Sequence, residues 1–169
     1  MLQFEQFKFE LFKFVCTEGY MQPQSFLYLI RTLIDDYDEY MKSACRELNM
    51  PQTSLAILLF LANNPDTPTA KDIVRIRAIK ANLVSLHVAK LVHDGYLERK
   101  SVFGDRRKVL LSCTPKASAI IKRGREYQSK FIESITRGLS DAELSSAKAC
   151  ICRLIENAVD LTPPAPDAL

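Results

Sequence analysis

Tryptophan is absent from this 169-residue sequence, histidine occurs twice and glycine only five times. So few glycines leave no room for the Gly-rich loops that cradle phosphates. His87 and His93 lie six residues apart, with no Cys or carboxylate at metal-ligand or catalytic spacing, so neither catalysis nor a bound metal or cofactor is expected. Both histidines fall in a stretch that reads as one helix, where they are expected to face solvent or a partner. Long apolar runs are missing too. The longest, Leu55–Ala62, is far too short to span a membrane, and the N-terminus mixes Glu and Lys into its aromatics as no signal peptide does. The five cysteines (16, 45, 113, 150, 152) are scattered and odd in number, which fits reduced thiols in the cytoplasm better than a disulfide framework.

What is present is globular: 47% of residues are hydrophobic and 25% charged, enough for a real core. The positive charge is unevenly placed. Residues 71–108 hold ten Lys/Arg against four Asp/Glu, a local +6, so a chain of net +3 carries −3 elsewhere. Such a cluster suits phosphate contacts and electrostatic steering, although a solvated surface would also carry it.

The same stretch changes period in an informative order. Thr69 and Asp72 form a helix-starting box, and Ile73, Val74 and Ile76 supply an apolar face. A second helix follows with Ala81, Val84, Val88 and Leu91 in register, stopped by Gly95. Two runs fit for strands come next, Tyr96–Phe103 and Lys108–Thr114, with Gly104, Asp105, Arg106 and Arg107 at the turn. Helix, turn, helix and hairpin in that order predict a winged helix-turn-helix, a module that docks on duplex DNA.

Winding the second helix at about 100° per residue, with Val84, Val88 and Leu91 inward, turns Asn82, Leu86 and His93 outward and leaves Leu83, Ala89 and Lys90 on the flanks. Lys80 and Ala81 lie at the N-terminal end, which commonly enters the major groove. An Asn amide can pair with the N6/N7 edge of adenine, and a leucine can meet a thymine methyl, although Leu86 reads equally well as an incidental surface leucine. Arg106 and Arg107 at the wing suit a minor groove, with Asp105 as a brace for an arginine rather than a DNA contact. The candidate DNA-binding set is therefore Arg77, Lys80, Asn82, Leu83, Ser85, Leu86, Lys90, Arg106, Arg107 and Lys108.

Around this lobe (51–114) the sequence is helical. Residues 1–22 form an aromatic-rich segment, read as a short amphipathic helix that packs within the chain or against a second copy. Residues 23–50 hold a long helix with Phe26, Ile30, Leu33, Ile34, Tyr37, Met41, Ala44, Cys45 and Leu48 on one face. Gln52–Ala62, apolar nearly all round, is the expected buried scaffold. Over 115–160, Thr114 caps a helix with Pro115 at its first position, running to about Arg137. A box of Ser140 and Glu143, stapled by Leu139 and Leu144, then starts the last helix. A proline-rich tail, 161–169, is expected to be disordered. The fold class is thus mainly α with a small β-hairpin: a winged lobe plus a helical platform, from both ends of the chain, that would pair two copies.

The pattern resembles the MarR family of bacterial transcriptional regulators over roughly residues 24–158. The resemblance rests on the Leu55–Ala62 helix, on Ile79–Gly95 continuing through Tyr96-Leu97-Glu98-Arg99, on the wing Gly104-Asp105-Arg106-Arg107, and on Cys113-Thr114-Pro115-Lys116-Ala117 after it. The Asp-x-Arg wing followed by that Thr is its most specific part. Arg77, in a turn where an apolar residue is common, and Ala117, in place of a glycine, depart from the family pattern. The resemblance implies a cytoplasmic homodimer with two winged lobes, bound to a pseudo-palindromic operator on double-stranded DNA. It implies repression, often relieved by a small phenolic or other effector, and no membrane association. Two other readings stay open: a winged helix used only for protein contacts, and a regulator that senses redox state through its thiols. For each cysteine the plain expectation is a buried, inert thiol, and Cys150 and Cys152, two apart on a helix, cannot easily bridge each other.

Overall fold

The computed structural model describes residues 23–65, 69–102 and 105–159, with the backbone alone for 23–26, 102 and 105–108. The aromatic segment expected over 1–22 and the tail over 161–169 lie outside the described residues. Helix α1 (Pro23–Glu47) is followed by α2 (Gln52–Asn63), α3 (Ala70–Arg77) and α4 (Ala81–His93). Strands β1 (Leu97–Val102) and β2 (Asp105–Cys113) come next, then a 3-10 turn (Pro115–Ala117), α5 (Ser118–Ile135) and α6 (Asp141–Val159). Mainly helical, with one antiparallel hairpin, this is the expected winged-helix class. The chain divides into two compact units, one through Gln128 and one from Ser129.

In the first unit α2 is the scaffold. Seven of its residues, Ser54, Leu55, Ile57, Leu58, Leu59, Phe60 and Leu61, are buried, as an all-round apolar helix requires. Met41 and Ala44 from α1, Ile73 from α3, Val84, Val88 and Leu91 from α4, Leu97 and Leu111 from the hairpin, and Ala117 and Ile121 join them in one core. Gly124 lets α5 approach closely: a Cβ there would lie 2.9 Å from Leu59 Cδ2 and 3.3 Å from Leu55 Cδ1.

The local signals set the ends of these helices. Thr69 Oγ1 accepts from the Asp72 N–H at 3.2 Å, and Asp72 Oδ2 accepts from the Thr69 N–H at 3.3 Å, the reciprocal box read from the sequence. Helices α1 and α4 finish alike. Met50 and Asn49 donate to the Cys45 and Arg46 carbonyls, and Tyr96 and Gly95 donate to those of Leu91 and Val92. Each is a Schellman motif, with Asn49 (φ 48°) and Gly95 (φ 76°) in the left-handed region. Between α1 and α5 the Arg123 guanidinium grips Glu47 with two bonds, 2.6 and 3.0 Å, while the Tyr127 hydroxyl donates to the same carboxylate at 2.6 Å. These bonds push the Arg123 pKa above its ordinary value and raise that of Tyr127, in both cases chiefly through Glu47.

In the second unit, Ser140 and Glu143 form the expected box at the start of α6: the Ser140 N–H donates to Glu143 Oε2 at 2.7 Å and Ser140 Oγ accepts at 3.4 Å. No residue of α6 is buried, and Ile151, Leu154, Ile155 and Val159 are exposed. Leu139 is half exposed and Leu144 only partly buried. In the first unit the N-terminal half of α1 is similarly uncovered at Leu27, Ile30, Leu33 and Ile34.

Several expectations are corrected. Ile76 is 52% exposed, because in an eight-residue helix Ile73 and Val74 already occupy the core-facing side. Ala81 is exposed at the start of α4 rather than buried with Val84. The strands run Leu97–Val102 and Asp105–Cys113, so Asp105, Arg106 and Arg107 belong to β2 and not to the turn. Thr114 makes no side-chain cap, since its hydroxyl donates to Gly95 instead, and α5 ends at Ile135, two residues short of Arg137. Cys150 and Cys152 are exposed, not buried, on a helix with no covered face in the single chain. Among the described residues no helix is long and apolar enough to cross a membrane.

Candidate nucleic-acid interface

Helix α4 has two unlike sides. Val84, Val88 and Leu91 are 1–3% exposed in the core, whereas Asn82, Leu83, Ser85, Leu86 and Lys90 are exposed. Leu86, at 63% exposure, is an apolar side chain held in the open between polar neighbours. The separation follows from the 3.6-residue period, and it sets an amide, a hydroxyl and leucine methyls outward from one rigid element.

The N-terminal end is electropositive for two reasons. Lys80 occupies the N-cap position without a side-chain cap, and no acidic residue lies in the first turn. The unpaired N–H groups there carry the positive end of the helix dipole, so dipole and lysine favour an anion at the same place. The turn into α4 is tight: Ala78 takes a left-handed conformation (φ 51°), and Ile79 tucks partly into the core. Arg77 is the last residue of α3, not a turn residue, and it lines a small cleft with Tyr37, Asp38 and Gln52. Lys90, at the far end of α4, shares its charge with Asp94 at 3.6 Å.

The wing has an irregular register. Leu97 pairs with Cys113 and the ladder is regular up to Ser101 opposite Val109, but Val102 then pairs with Asp105. The register passes over Arg106, Arg107 and Lys108, so the extra residues of this bulge are three consecutive cations. Farther down the hairpin, Glu98 accepts from Lys100 at 2.7 Å and from the Ser112 hydroxyl at 2.8 Å, and these bonds hold its carboxyl below the usual range.

Three positioning contacts have no simple mark in the sequence. The Thr114 hydroxyl donates to the Gly95 carbonyl at 2.7 Å, and the Lys116 ammonium donates to the Asp94 carbonyl at 2.8 Å while lying 4.9 Å above the Tyr96 ring. Both tie the segment after the wing to the end of α4. His87 corrects the expectation of an outward histidine: it is half-buried, with Nδ1 2.8 Å from the hydroxyl of buried Ser54 on α2. Cys45 and Cys113 are half-buried, and burial pushes both thiols up, away from the reactive thiolate. Among the described residues no three His, Cys, Asp or Glu side chains are placed to hold a metal ion.

The family model that matches this chain is that of the MarR family, over residues 48–108. Over those residues the winged lobe is similar to the MarR family. The matched stretch runs from the end of α1 to the last cation of the wing bulge, and so takes in all of α4. No curated protein matches the chain. Among solved structures, the transcriptional regulator PA3341 superposes with a TM-score of 0.73 at 20% identity, over 80% of this chain and 99% of that one. A MarR-family regulator from Silicibacter pomeroyi gives 0.70 at 17% identity, over 77% and 87%. One from Listeria monocytogenes, described as a putative MarR-family regulator complexed with a 26mer DNA, gives 0.70 at 19%, over 79% and 89%. At such identities the superpositions establish a shared fold, the winged helix of MarR-type regulators.

Proposed function

We propose that the chain is a sequence-specific transcriptional regulator that binds double-stranded DNA as a homodimer, with α4 in the major groove and the hairpin at the minor groove. One observation carries this reading: α4 buries its apolar stripe against the scaffold and presents Asn82, Leu83, Ser85 and Leu86 outward between Lys80 and Lys90. Asn and an exposed leucine are side chains that read adenine and thymine edges, and the flanking cations suit phosphates. The wing bulge of Arg106, Arg107 and Lys108 supplies a second cationic element, and Arg77 a further phosphate contact. The exposed apolar residues of α1 and of α6 support pairing of two copies, which would give two half-sites. Repression, relieved by a small-molecule effector, completes the reading by analogy with the family; no enzymatic step is assigned.

Selection of bound fragments from genomic DNA tests it. The expected product is a pseudo-palindromic site with half-sites one helical turn apart, at which Asn82→Ala loses on the order of 1–3 kcal/mol of discrimination at one base pair. Absence of any enriched sequence would overturn it and favour a winged helix that contacts only proteins.

A thiol-responsive variant of this function has one observation in its favour, the exposure of Cys150 and Cys152. Alkylation mapped by mass spectrometry, with DNA affinity measured before and after mild oxidation, tests it. Equal affinity in both states would dismiss it.

A further inference from the structure

Ser54 is the one buried polar residue among the described residues, 2% exposed on an otherwise apolar helix. Its hydroxyl lies 2.8 Å from His87 Nδ1, a contact between scaffold helix and reading helix that spans 33 residues of sequence. A serine hydroxyl both donates and accepts, so the pair is satisfied with either imidazole tautomer. A buried hydroxyl so placed has a specific task, because an alanine there would fill the core at lower desolvation cost.

The neighbouring contacts define that task. Val84, Val88 and Leu91 hold α4 against the core through methyl groups. Such packing fixes the distance between two helices well, and rotation about the helix axis less well, because dispersion contacts have little directionality. The bond from His87 is directional and lies beside Leu86, five residues from Asn82. Side-chain tips sit about 5–6 Å from a helix axis, so a rotation of about 10° moves them by about 1 Å. A displacement of that size exceeds the tolerance of about 0.5 Å within which a recognition geometry must be held.

We infer that the Ser54–His87 hydrogen bond sets the rotation of the reading helix and thereby its base discrimination: His87 and Ser54 are positioning residues for sequence selectivity. The inference rests on the DNA-binding reading above. It separates two quantities that a general loss of stability would move together. Phosphate contacts tolerate a small rotation, whereas bidentate base contacts do not.

The test uses the full chain, the duplex it selects most strongly from a random pool, and a scrambled duplex of the same composition. Affinity for each is measured by fluorescence anisotropy, and thermal unfolding is followed in parallel. Ser54→Ala is the decisive variant: Ser54 is buried and cannot touch DNA, and loss of one oxygen leaves the fold intact. The expected result is a fall of about tenfold in the ratio of the two affinities, with affinity for the scrambled duplex unchanged. His87→Leu should give the same fall, the double variant no further fall, and His87→Asn, which returns a hydrogen-bonding atom near the Nδ1 position, should restore the ratio. An unchanged ratio in Ser54→Ala, or an equal loss on both duplexes, overturns the inference. If the wild type selects no duplex at all, the DNA-binding reading falls first and this inference with it.

Discussion

Thr114 donates its hydroxyl to the carbonyl of Gly95 at 2.7 Å, across a sequence separation of 19 that spans the whole wing. The Thr114 N–H also bonds the Tyr96 carbonyl at 3.0 Å, so the chain leaving the hairpin is fastened to the chain entering it. With Lys116 on the Asp94 carbonyl, the end of α4 and the base of the wing become one rigid corner.

Thr114→Val tests that corner. It keeps the shape and removes the donor, so chemical denaturation should show a loss of about 1 kcal/mol. Hydrogen exchange at Gly95 and Tyr96 should speed up more than in the α2 core. Unchanged exchange at these two amides would mean that the Schellman bonds hold the corner without Thr114.

Gly124 makes a second prediction. Gly124→Leu drives side-chain atoms into Leu59 and Leu55, and should destabilise by about 1–3 kcal/mol or more, read as a lower urea midpoint. Gly124→Ala should cost less, since an alanine gains about 1 kcal/mol of helix propensity against the same crowding. If the leucine variant were as stable as wild type, α5 would not be packed on α2 as described.

The Glu143 carboxyl is held below the usual range, first by the Ser140 hydroxyl and then by the Ser140 N–H. A carboxyl with a depressed folded value contributes stability in full above its unfolded value, and loses it as pH falls through the lower folded value. In an NMR titration the Glu143 midpoint should lie below that of an exposed glutamate, and Ser140→Ala, which removes the hydroxyl but keeps the backbone N–H, should raise it part of the way back. Equal midpoints in the two proteins would mean that the box does not persist in solution.

These cases show what a single sequence discloses. Both capping boxes were legible because their partners lie three residues apart, and the burial of α2 because its composition leaves no polar face. The outward set on α4 followed from period alone. The wing boundary was not legible: Gly104 to Arg107 read as turn chemistry, yet β2 begins at Asp105 because pairing with Val102 resumes at once and the surplus residues bulge out. Thr114 read as a cap from its local context, whereas its bond goes to Gly95. His87 departs from its expected outward placement because its partner, Ser54, is visible only once α2 and α4 are packed.

The wing offers a test whose sign is informative. Arg106→Ala or Arg107→Ala should lower DNA affinity without shifting thermal unfolding, as expected of positions that the register passes over. Asp105→Ala should lower affinity too, although it removes a negative charge beside a polyanion. A loss would mean that Asp105 shapes the tip more than it repels phosphate. Tighter binding by Asp105→Ala at every salt concentration would reduce the wing to a patch of charge.

The central claim, that α4 and the wing bind duplex DNA, is tested most directly by affinity for the selected duplex over a salt series from about 50 to 200 mM. The wild type should lose affinity linearly in log–log form. A variant with Arg106, Arg107 and Lys108 all changed to alanine should show a slope shallower by about 0.9 for each phosphate contact removed. A wild-type affinity that does not change across that range, or a slope the triple variant leaves untouched, would contradict the account.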